Sequence, residues 1–382
     1  MQENLQRKPR LAIISDTAMY LKDNIYIFEP VLREVRFFAE LFCQINWLGF
    51  IHRILPPLNS KKEIPDNLKL VIVNPCGGDT YIKKIGIIFF IPYYVFKIIR
   101  LVKKSEIIHT RGPSIPALLT ILISFLYPQK KYWHKYAGNW QIRSKTLTYK
   151  LQRWLLMKKV PGKVTVSQRN NSDPPHILSF VNPCLTNEEI KANKKSGLNK
   201  NFDGKLTFCF IGRVDASKGF PALLDAIIDM NDISWIDKLH CAGTGSEREK
   251  FEIIASKYNL PIIFHGLLDR YELNKLYNSS HFIILPSQSE GFPKVLAEAS
   301  SFGCIPIVPK ISSIISLINE NKKNGIILSD IEPQGIKKTI KTLLDKRNEL
   351  SMYSANAMMN AKQFTYENYN QCIVDYILSD TE

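Results

Sequence analysis

Short apolar runs alternate with longer amphipathic stretches along almost the whole chain. In the first half the runs are Leu11–Ser15, Leu70–Asn74, Glu106–Thr110, Lys131–Tyr136 and Lys163–Ser167. In the second half they are Leu206–Gly212, Lys238–Gly243, Pro261–Gly266, His281–Pro286 and Cys304–Pro309. Strands buried on both faces read as continuous apolar runs, and their alternation with helix-length stretches predicts parallel sheets covered by helices. The expected fold class is therefore α/β, with two Rossmann-like, doubly wound units. Between them the segment RNNSDPPHILSFVNPCLTNEEI (169–190) has the Pro and Asn punctuation of a linker. This puts the boundary at Asn182, with an N-terminal domain over 1–182, a C-terminal domain over 183–363 and a terminal helix over 364–382. In open parallel sheets the ligand sits outside the carboxyl ends of the strands, and two such units would hold it in a cleft between them.

A length of 382 residues agrees with two domains. With 45% hydrophobic and 23% charged residues the composition is that of a globular protein, which excludes disorder, collagen and coiled coil. The 7 cysteines are scattered without a Cys-x-x-Cys pair, so neither a disulfide framework nor a zinc knuckle is expected, and a reducing cytosol fits. After the polar opening MQENLQRKPR, the stretch Leu11–Ile14 is too short for a signal-peptide core. Two longer apolar runs, Ile85–Phe96 and Ile115–Tyr127, fall short of the roughly 20 residues of a membrane span. Lys97, Arg100 and Lys130 trail them, which points to helices lying in a membrane interface, with buried core helices as the alternative.

Charge separates the two halves. The net charge is +16, but residues 1–180 carry 28 Lys and Arg against 11 Asp and Glu, whereas residues 181–382 carry 23 against 24. Between Glu106 and Asp173 there is no acidic residue at all. A face of that kind attracts polyanions: nucleic acid, an anionic bilayer or a phosphorylated lipid. The aromatics among these lysines, such as Tyr132, Trp133 and Trp154, suit either base stacking or a bilayer interface.

The chemistry lies in the second half. After the run Leu206–Gly212 come Arg213 and Lys218, two cations at a strand-to-helix turn closed by Gly219, suited to a diphosphate. The next run ends in Gly243-Thr244-Gly245-Ser246, where small residues let backbone approach a ligand. Each turn read alone is also ordinary connection chemistry. Most informative is Glu290-Gly291-Phe292-Pro293-Lys294, followed by Glu298. Pro293 suits the first position of a helix, so two carboxylates would bracket a helix N-terminus and could accept from sugar hydroxyls on either side of a phosphate.

This order of motifs resembles the retaining glycosyltransferases of the GT-B fold, glycosyltransferase family four. Gly212-Arg213…Lys218-Gly219, Gly243-Thr244-Gly245, His265-Gly266, Glu290-Gly291-Phe292-Pro293…Glu298 and Gly303–Pro306 follow the family pattern over about 205–330. The likeness is looser before that, resting on His109 and on Val166-Ser167, while Tyr366–Leu378 resembles the helix that crosses back to the first domain. By this resemblance Arg213, Lys218 and Glu290 are the catalytic set: the cations hold the donor diphosphate, and Glu290 with the 291–293 backbone orients the transferred sugar. Glu298 would hold the ribose hydroxyls, and Gly212, Gly243, Thr244, Gly245, His265, Gly266, Lys294, His109 and Asn139 complete the substrate contacts.

The chain departs from the family in three places. Ser15–Tyr20 lacks the glycines usual after the first strand, the exit of Lys131–Tyr136 reads Ala137–Trp140 with His134 set further back, and Ser312–Ser316 replaces a Gly-Gly-x-x-Glu segment. No Asp-x-Asp element is present, so no metal and no cofactor is expected, and the nucleotide sugar, such as a UDP-sugar or GDP-sugar, enters as substrate. The resemblance implies transfer to a lipid-diphosphate-linked saccharide in capsule, lipopolysaccharide or exopolysaccharide assembly. The enzyme would be cytoplasmic and bound peripherally to the inner face of the membrane through its basic N-terminal domain. A sugar-nucleotide epimerase on the same scaffold, and a basic nucleic-acid-binding α/β protein, are the alternatives.

Overall fold

The computed structural model describes residues 8–58, 60–75, 81–140, 146–311 and 318–379, without the side chains of 81–88 and of Glu320. Cys76, Arg143, Lys145 and Ser312–Ser316 lie outside the described residues. The chain divides into two compact units, one over Met1–Val181 with the residues from Tyr369 onward, the other over Asn182–Asn368.

Unit 1 contains β1 (Arg10–Leu21), β2 (Ile25–Phe28), α1 (Glu29–Ala39), β3 (Gln44–His52), β4 (Ser60–Lys61), β5 (Leu68–Val73), α2 (Tyr81–Lys104), β6 (Ile107–Gly112), α3 (Ile115–Ser124), β7 (Lys131–Tyr136), α4 (Leu147–Met157), β8 (Lys163–Val166) and β9 (Ile177–Ser179). Its parallel strands run β5-β3-β1-β6-β7-β8-β9, and β2 and β4 add a short antiparallel edge beside β1. The winding direction reverses between β1 and β6, as in a doubly wound sheet. Strand β3 was not among the apolar runs, because Gln44, Asn46, Gly49 and His52 interrupt its hydrophobic residues.

One face of this sheet is covered by α1 and the C-terminal segment, where Phe38, Trp133, Tyr369 and Ile373 share a core. The other is covered by α2 and α3 through Tyr94, Ile98 and Ile123, and by α4 through Leu156. Among their described residues the two long apolar runs supply Tyr94 and Ile123 to this core, while Phe89, Phe96 and Leu126 stay exposed. Among the described residues no helix is long and apolar enough to cross a membrane.

A buried ionic node sits at the carboxyl ends of β6 and β7. Glu34 Oε1 accepts from Arg111 Nη1 and from Lys135 Nζ, both at 2.7 Å, and Tyr369 Oη lies 3.2 Å from the same oxygen. Lys135 also lies over the Tyr369 ring, 4.9 Å from its centroid. Removing one member of such a cluster would leave a buried charge uncompensated, so the node fixes where the C-terminal segment rests on unit 1.

Unit 2 contains α5 (Asn187–Leu198), β10 (Leu206–Ile211), α6 (Phe220–Ile228), β11 (Ile236–Ala242), α7 (Arg248–Lys257), β12 (Ile262–Gly266), α8 (Arg270–Ser279), β13 (Phe282–Ile284), α9 (Lys294–Ser301), β14 (Ile305–Pro309), β15 (Ile326–Leu328), α10 (Pro333–Asp345), α11 (Leu350–Ala361) and the first turn of α12 (Tyr366–Ile373). Its six strands are all parallel, in the order β12-β11-β10-β13-β14-β15. The reversal here falls between β10 and β13. Beyond α12 the chain makes a wider turn closed by Ser379 N–H donating to Val374 O at 2.9 Å.

His134 is fully buried, and burial pulls its pKa down from 6.5 to about 4. A depressed histidine gives stability that is complete above its unfolded value and is lost as pH falls toward the folded value. Thermal unfolding followed from pH 7 to pH 4 is therefore expected to show the midpoint falling below about pH 6.5, with a loss on the order of 3 kcal/mol. In His134→Gln the slope over that window should be shallower.

Candidate functional site

The reversal point of unit 2 brings two loops together. From β10 the chain passes through Gly212 and Arg213 into a single tight turn, Ala216–Lys218, in which Asp215 accepts from Lys218 N–H at 3.2 Å. Gly219 then takes φ 74° and α6 follows, starting at Phe220 as the sequence predicts. From β13 the chain passes through buried Leu285, Pro286 and Ser287 into the Gln288–Pro293 loop. Gln288 N–H donates to Ser217 O at 3.3 Å, joining the two loops. A Cβ at Gly219 would stand 2.1 Å from the Pro286 carbonyl oxygen, so only glycine allows this approach.

Lys218 and Glu290 meet here: Lys218 Nζ lies 2.6 Å from Glu290 Oε1, with Glu290 buried and Lys218 half-buried. Arg213 is on the open side, 67% exposed, held by Nη2 to Ser217 Oγ at 2.8 Å and by Nε to Asp215 Oδ2 at 3.4 Å. Burial alone would raise the Asp215 pKa, but the Ser217 hydroxyl, the Lys218 N–H and Arg213 hold it below the usual carboxylate range. The turn is thus a preformed positive edge with its own anionic anchor. Beside it Ser287 Oγ is fully buried and finds no hydrogen-bond partner among the described residues.

The glycines carry the ladder past the ends of the strands. Gly212 N–H donates to Ala242 O at 3.0 Å, Val214 N–H to Thr244 O at 3.0 Å, and Gly243 N–H to Gly266 O at 2.7 Å. Thr244 is exposed and Gly245 packs on Val214. The His265 side chain points to the neighbouring strand, where its Nε2 lies 2.9 Å from His240 Nδ1. Burial, then the His265 ring, lowers the His240 pKa, while burial and then Arg248 lower that of His265. A neutral pair sharing one proton fits that contact.

Two expectations need correction. Helix α9 begins at Lys294, so Pro293 is its capping residue and not its first turn. His109 does not reach a ligand site: it is fully buried, stacked at 3.7 Å on Trp133, with Nδ1 at 3.2 Å from Trp133 O. Burial, reinforced by Arg111 and Lys135, pushes its pKa well below the usual value, so it is a neutral core residue. His134 is also in the core, its Nδ1 3.0 Å from Thr110 Oγ1. Asn139, half-buried beside Trp140, belongs like His109 to unit 1.

Glu298 lies on α9, facing an arginine that the sequence did not single out. Arg270 Nη1 donates to Glu298 Oε1 at 3.2 Å. Phe292 packs on Phe364 with ring centroids 5.3 Å apart, which fixes the loop ahead of α9 within unit 2. No local signal marks Arg270, because its partners come from helices far apart in sequence.

Residues 191–359 match the family described as glycosyl transferases group 1. An uncharacterised glycosyltransferase of Methanocaldococcus jannaschii is 28% identical over 186 residues, covering 48% of this chain and 46% of that protein. An uncharacterised 41.2 kDa protein in the cps region of Klebsiella pneumoniae is 29% identical over 133 residues, covering 35% of this chain and 36% of that protein. The chain thus spans half or less of the curated relatives it matches.

Solved structures match nearly throughout. Sucrose-phosphate synthase from Thermosynechococcus elongatus gives a TM-score of 0.68 at 18% identity, covering 97% of this chain and 98% of that one. Anabaena HepE in complex with UDP and glucose gives 0.66 at 14%, covering 96% and 98%. The lipopolysaccharide outer core galactosyltransferase WaaB, in its apo form, gives 0.69 at 12%, covering 97% and 100%. At these identities the likeness is one of fold, the GT-B fold with its two α/β units expected from the sequence.

At Gly243, with φ 142°, a Cβ would stand 1.8 Å from the Gly212 carbonyl oxygen. Gly243→Ala is expected to cost roughly 1–3 kcal/mol through backbone strain. Chemical denaturation of the full chain measures it, and a cost below about 0.5 kcal/mol would show that the loop yields without strain.

Proposed function

We propose that this chain, a member of the glycosyl transferases group 1 through residues 191–359, is a metal-independent, retaining hexosyltransferase. It moves a sugar from a nucleotide diphosphate sugar to a lipid-diphosphate-linked saccharide in cell-surface polysaccharide assembly. The observation that carries the reading is the convergence of Arg213, Lys218 and Glu290 at the reversal point of unit 2. Breaking the bond from the sugar C1 to the phosphate oxygen builds negative charge on the departing nucleoside diphosphate. Fixed cations stabilise that charge where it develops. Lys218, held against Glu290, and Arg213, on the exposed side of the same turn, would meet the diphosphate. Glu290 would accept from hydroxyls of the transferred sugar and Glu298 from those of the ribose. In retaining transfer the acceptor oxygen joins C1 on the face the phosphate leaves, and its proton passes to the departing phosphate oxygen.

A galactosyltransferase of the lipopolysaccharide outer core among the fold relatives, and a relative encoded in a cps region, support the polysaccharide assignment. Unit 1 supports the membrane-linked acceptor. Helices α2, α3 and α4 form one layer and contain no Asp or Glu. Their outer sides expose Phe89, Phe96, Leu122, Leu147 and Trp154. Lys97 lies 5.5 Å from the Tyr93 ring centroid and Lys158 5.6 Å from that of Trp154. Apolar rings interleaved with cations on an acid-free face suit the headgroup region of an anionic bilayer.

A calorimetric screen against uridine, guanosine and adenosine diphosphates and their sugars tests the donor site. One nucleotide is expected to bind selectively, about tenfold or more weaker in Arg213→Ala, given the strength of hydrogen bonds to charged groups. No binding across the panel, with tight and steeply salt-dependent binding to DNA or RNA instead, would overturn the reading.

For the membrane, flotation with vesicles of phosphatidylglycerol and phosphatidylcholine is the direct measurement. Binding should rise with anionic lipid and fall with salt, and Phe96→Asp with Trp154→Asp should remove most of it. Binding left intact in that double variant would exclude this face.

A further inference from the structure

Arg270 opens α8 immediately after a capping box, in which Asp269 Oδ1 accepts from Glu272 N–H and Glu272 Oε2 from Asp269 N–H, both at 2.9 Å. That box fixes the first turn and with it the direction in which the arginine leaves the helix. Its guanidinium meets three acceptors from separate segments. Nη1 donates to Glu298 Oε1 at 3.2 Å, Nε and Nη2 donate to Glu189 Oε1 at 3.2 and 3.0 Å, and Nη2 donates to Cys184 O at 3.1 Å. Glu189 is itself pinned, because its Oε2 accepts from Thr186 N–H at 2.8 Å in the capping box of α5. The planar fork is therefore held on one side by fixed groups, and on the other it presents Nη1 to Glu298.

The consequence falls on Glu298. Its carboxylate has one oxygen engaged by Arg270, while among the described residues Oε2 accepts no hydrogen bond. The two oxygens are thereby distinguished, and the carboxylate plane is set before any ligand arrives. Lysine, a point charge, could not hold both glutamates and the carbonyl in this geometry. Burial disfavours the charge on Arg270, but Glu298 and Glu189 more than offset it and raise its pKa, so the guanidinium keeps its charge.

We propose that Arg270 is a positioning residue: it orients the Glu298 carboxylate so that Oε2 accepts from a ribose hydroxyl of the bound nucleotide. The proposal rests on the assignment of Glu298 to the ribose made above. It adds the determinant that makes that contact selective for a ribonucleotide, since a preorganised acceptor left unpaired by a sugar without hydroxyls penalises that sugar.

The test compares uridine, guanosine and adenosine diphosphates with their 2′,3′-dideoxy counterparts by calorimetry on the full chain, in the native protein, Arg270→Met, Arg270→Lys and Glu298→Ala. Thermal unfolding of each variant reports whether it folds. The native protein is expected to prefer the ribonucleotide by about tenfold, from one hydrogen bond to a charged group. In Arg270→Met and Glu298→Ala the ratio should fall below about twofold, with Arg270→Lys between. Should Arg270→Met fail to fold, the intermediate ratio of Arg270→Lys carries the test. An arginine that only staples α5, α8 and α9 would, when replaced, weaken both nucleotides equally and leave the ratio unchanged. That result, with the ratio lost in Glu298→Ala, overturns the role of Arg270 and leaves the ribose assignment standing. A ratio unchanged in Glu298→Ala, or absent from the native protein, overturns the assignment and the proposal with it.

Discussion

The site of unit 2 depends on one topological constraint, the reversal of winding between β10 and β13. Strands on one side connect through helices on one face of the sheet, and strands on the other side through helices on the opposite face. The two connections at the reversal therefore leave in opposite directions and a crevice opens between them. Backbone contacts close its base: Gly219 lies against the Pro286 carbonyl and Gly243 against that of Gly212, approaches that any larger residue would block. Because those contacts are made by main chain, the Lys218 and Glu290 side chains remain to face one another above them.

Unit 1 repeats the winding but treats its strand ends differently. There the carboxyl ends of β6 and β7 carry Arg111 and Lys135, which are buried against Glu34 of α1 and covered by Tyr369. Two cations and one carboxylate out of water are expensive, and the cluster holds together because each member has hydrogen-bonded partners. Its cations serve the packing of the C-terminal segment, whereas those of Arg213 and Lys218 stay within reach of solvent. The basic excess of the first half is thus of two kinds, a buried pair that is structural and a surface population on the layer of α2, α3 and α4.

Much of the fold could be read from the sequence, because buried parallel strands have to be apolar on both faces. Lys131–Tyr136 is a strand over the same residues that the pattern marks, and Leu206–Gly212 and Cys304–Pro309 are shifted by a single residue. Gln44–His52 escaped because its polar residues break the run, although Ile45, Trp47 and Leu48 are fully buried. Within the site, Arg213, Lys218 and Glu290 were readable since each lies in the turn after a strand, where spacing along the chain already implies position. His109 misled for the same reason: a strand-end histidine looks available, and only packing against Trp133 and Phe38 shows that it is not.

The sequence by itself determined the alternation of strands and helices, the segregation of charge into the first half and the residue types at the ends of β10, β11 and β13. These are local properties, set by burial periodicity and by turns that only glycine or proline can make. Tertiary structure alone decided which charges meet. Arg270 reaches Glu189, Glu298 and the Cys184 carbonyl across separations of 81, 28 and 86 residues, and Lys218 reaches Glu290 across 72. Pairings at that range depend on the order in which strands assemble and on which side chains are left without water. No feature of the flanking sequence encodes either.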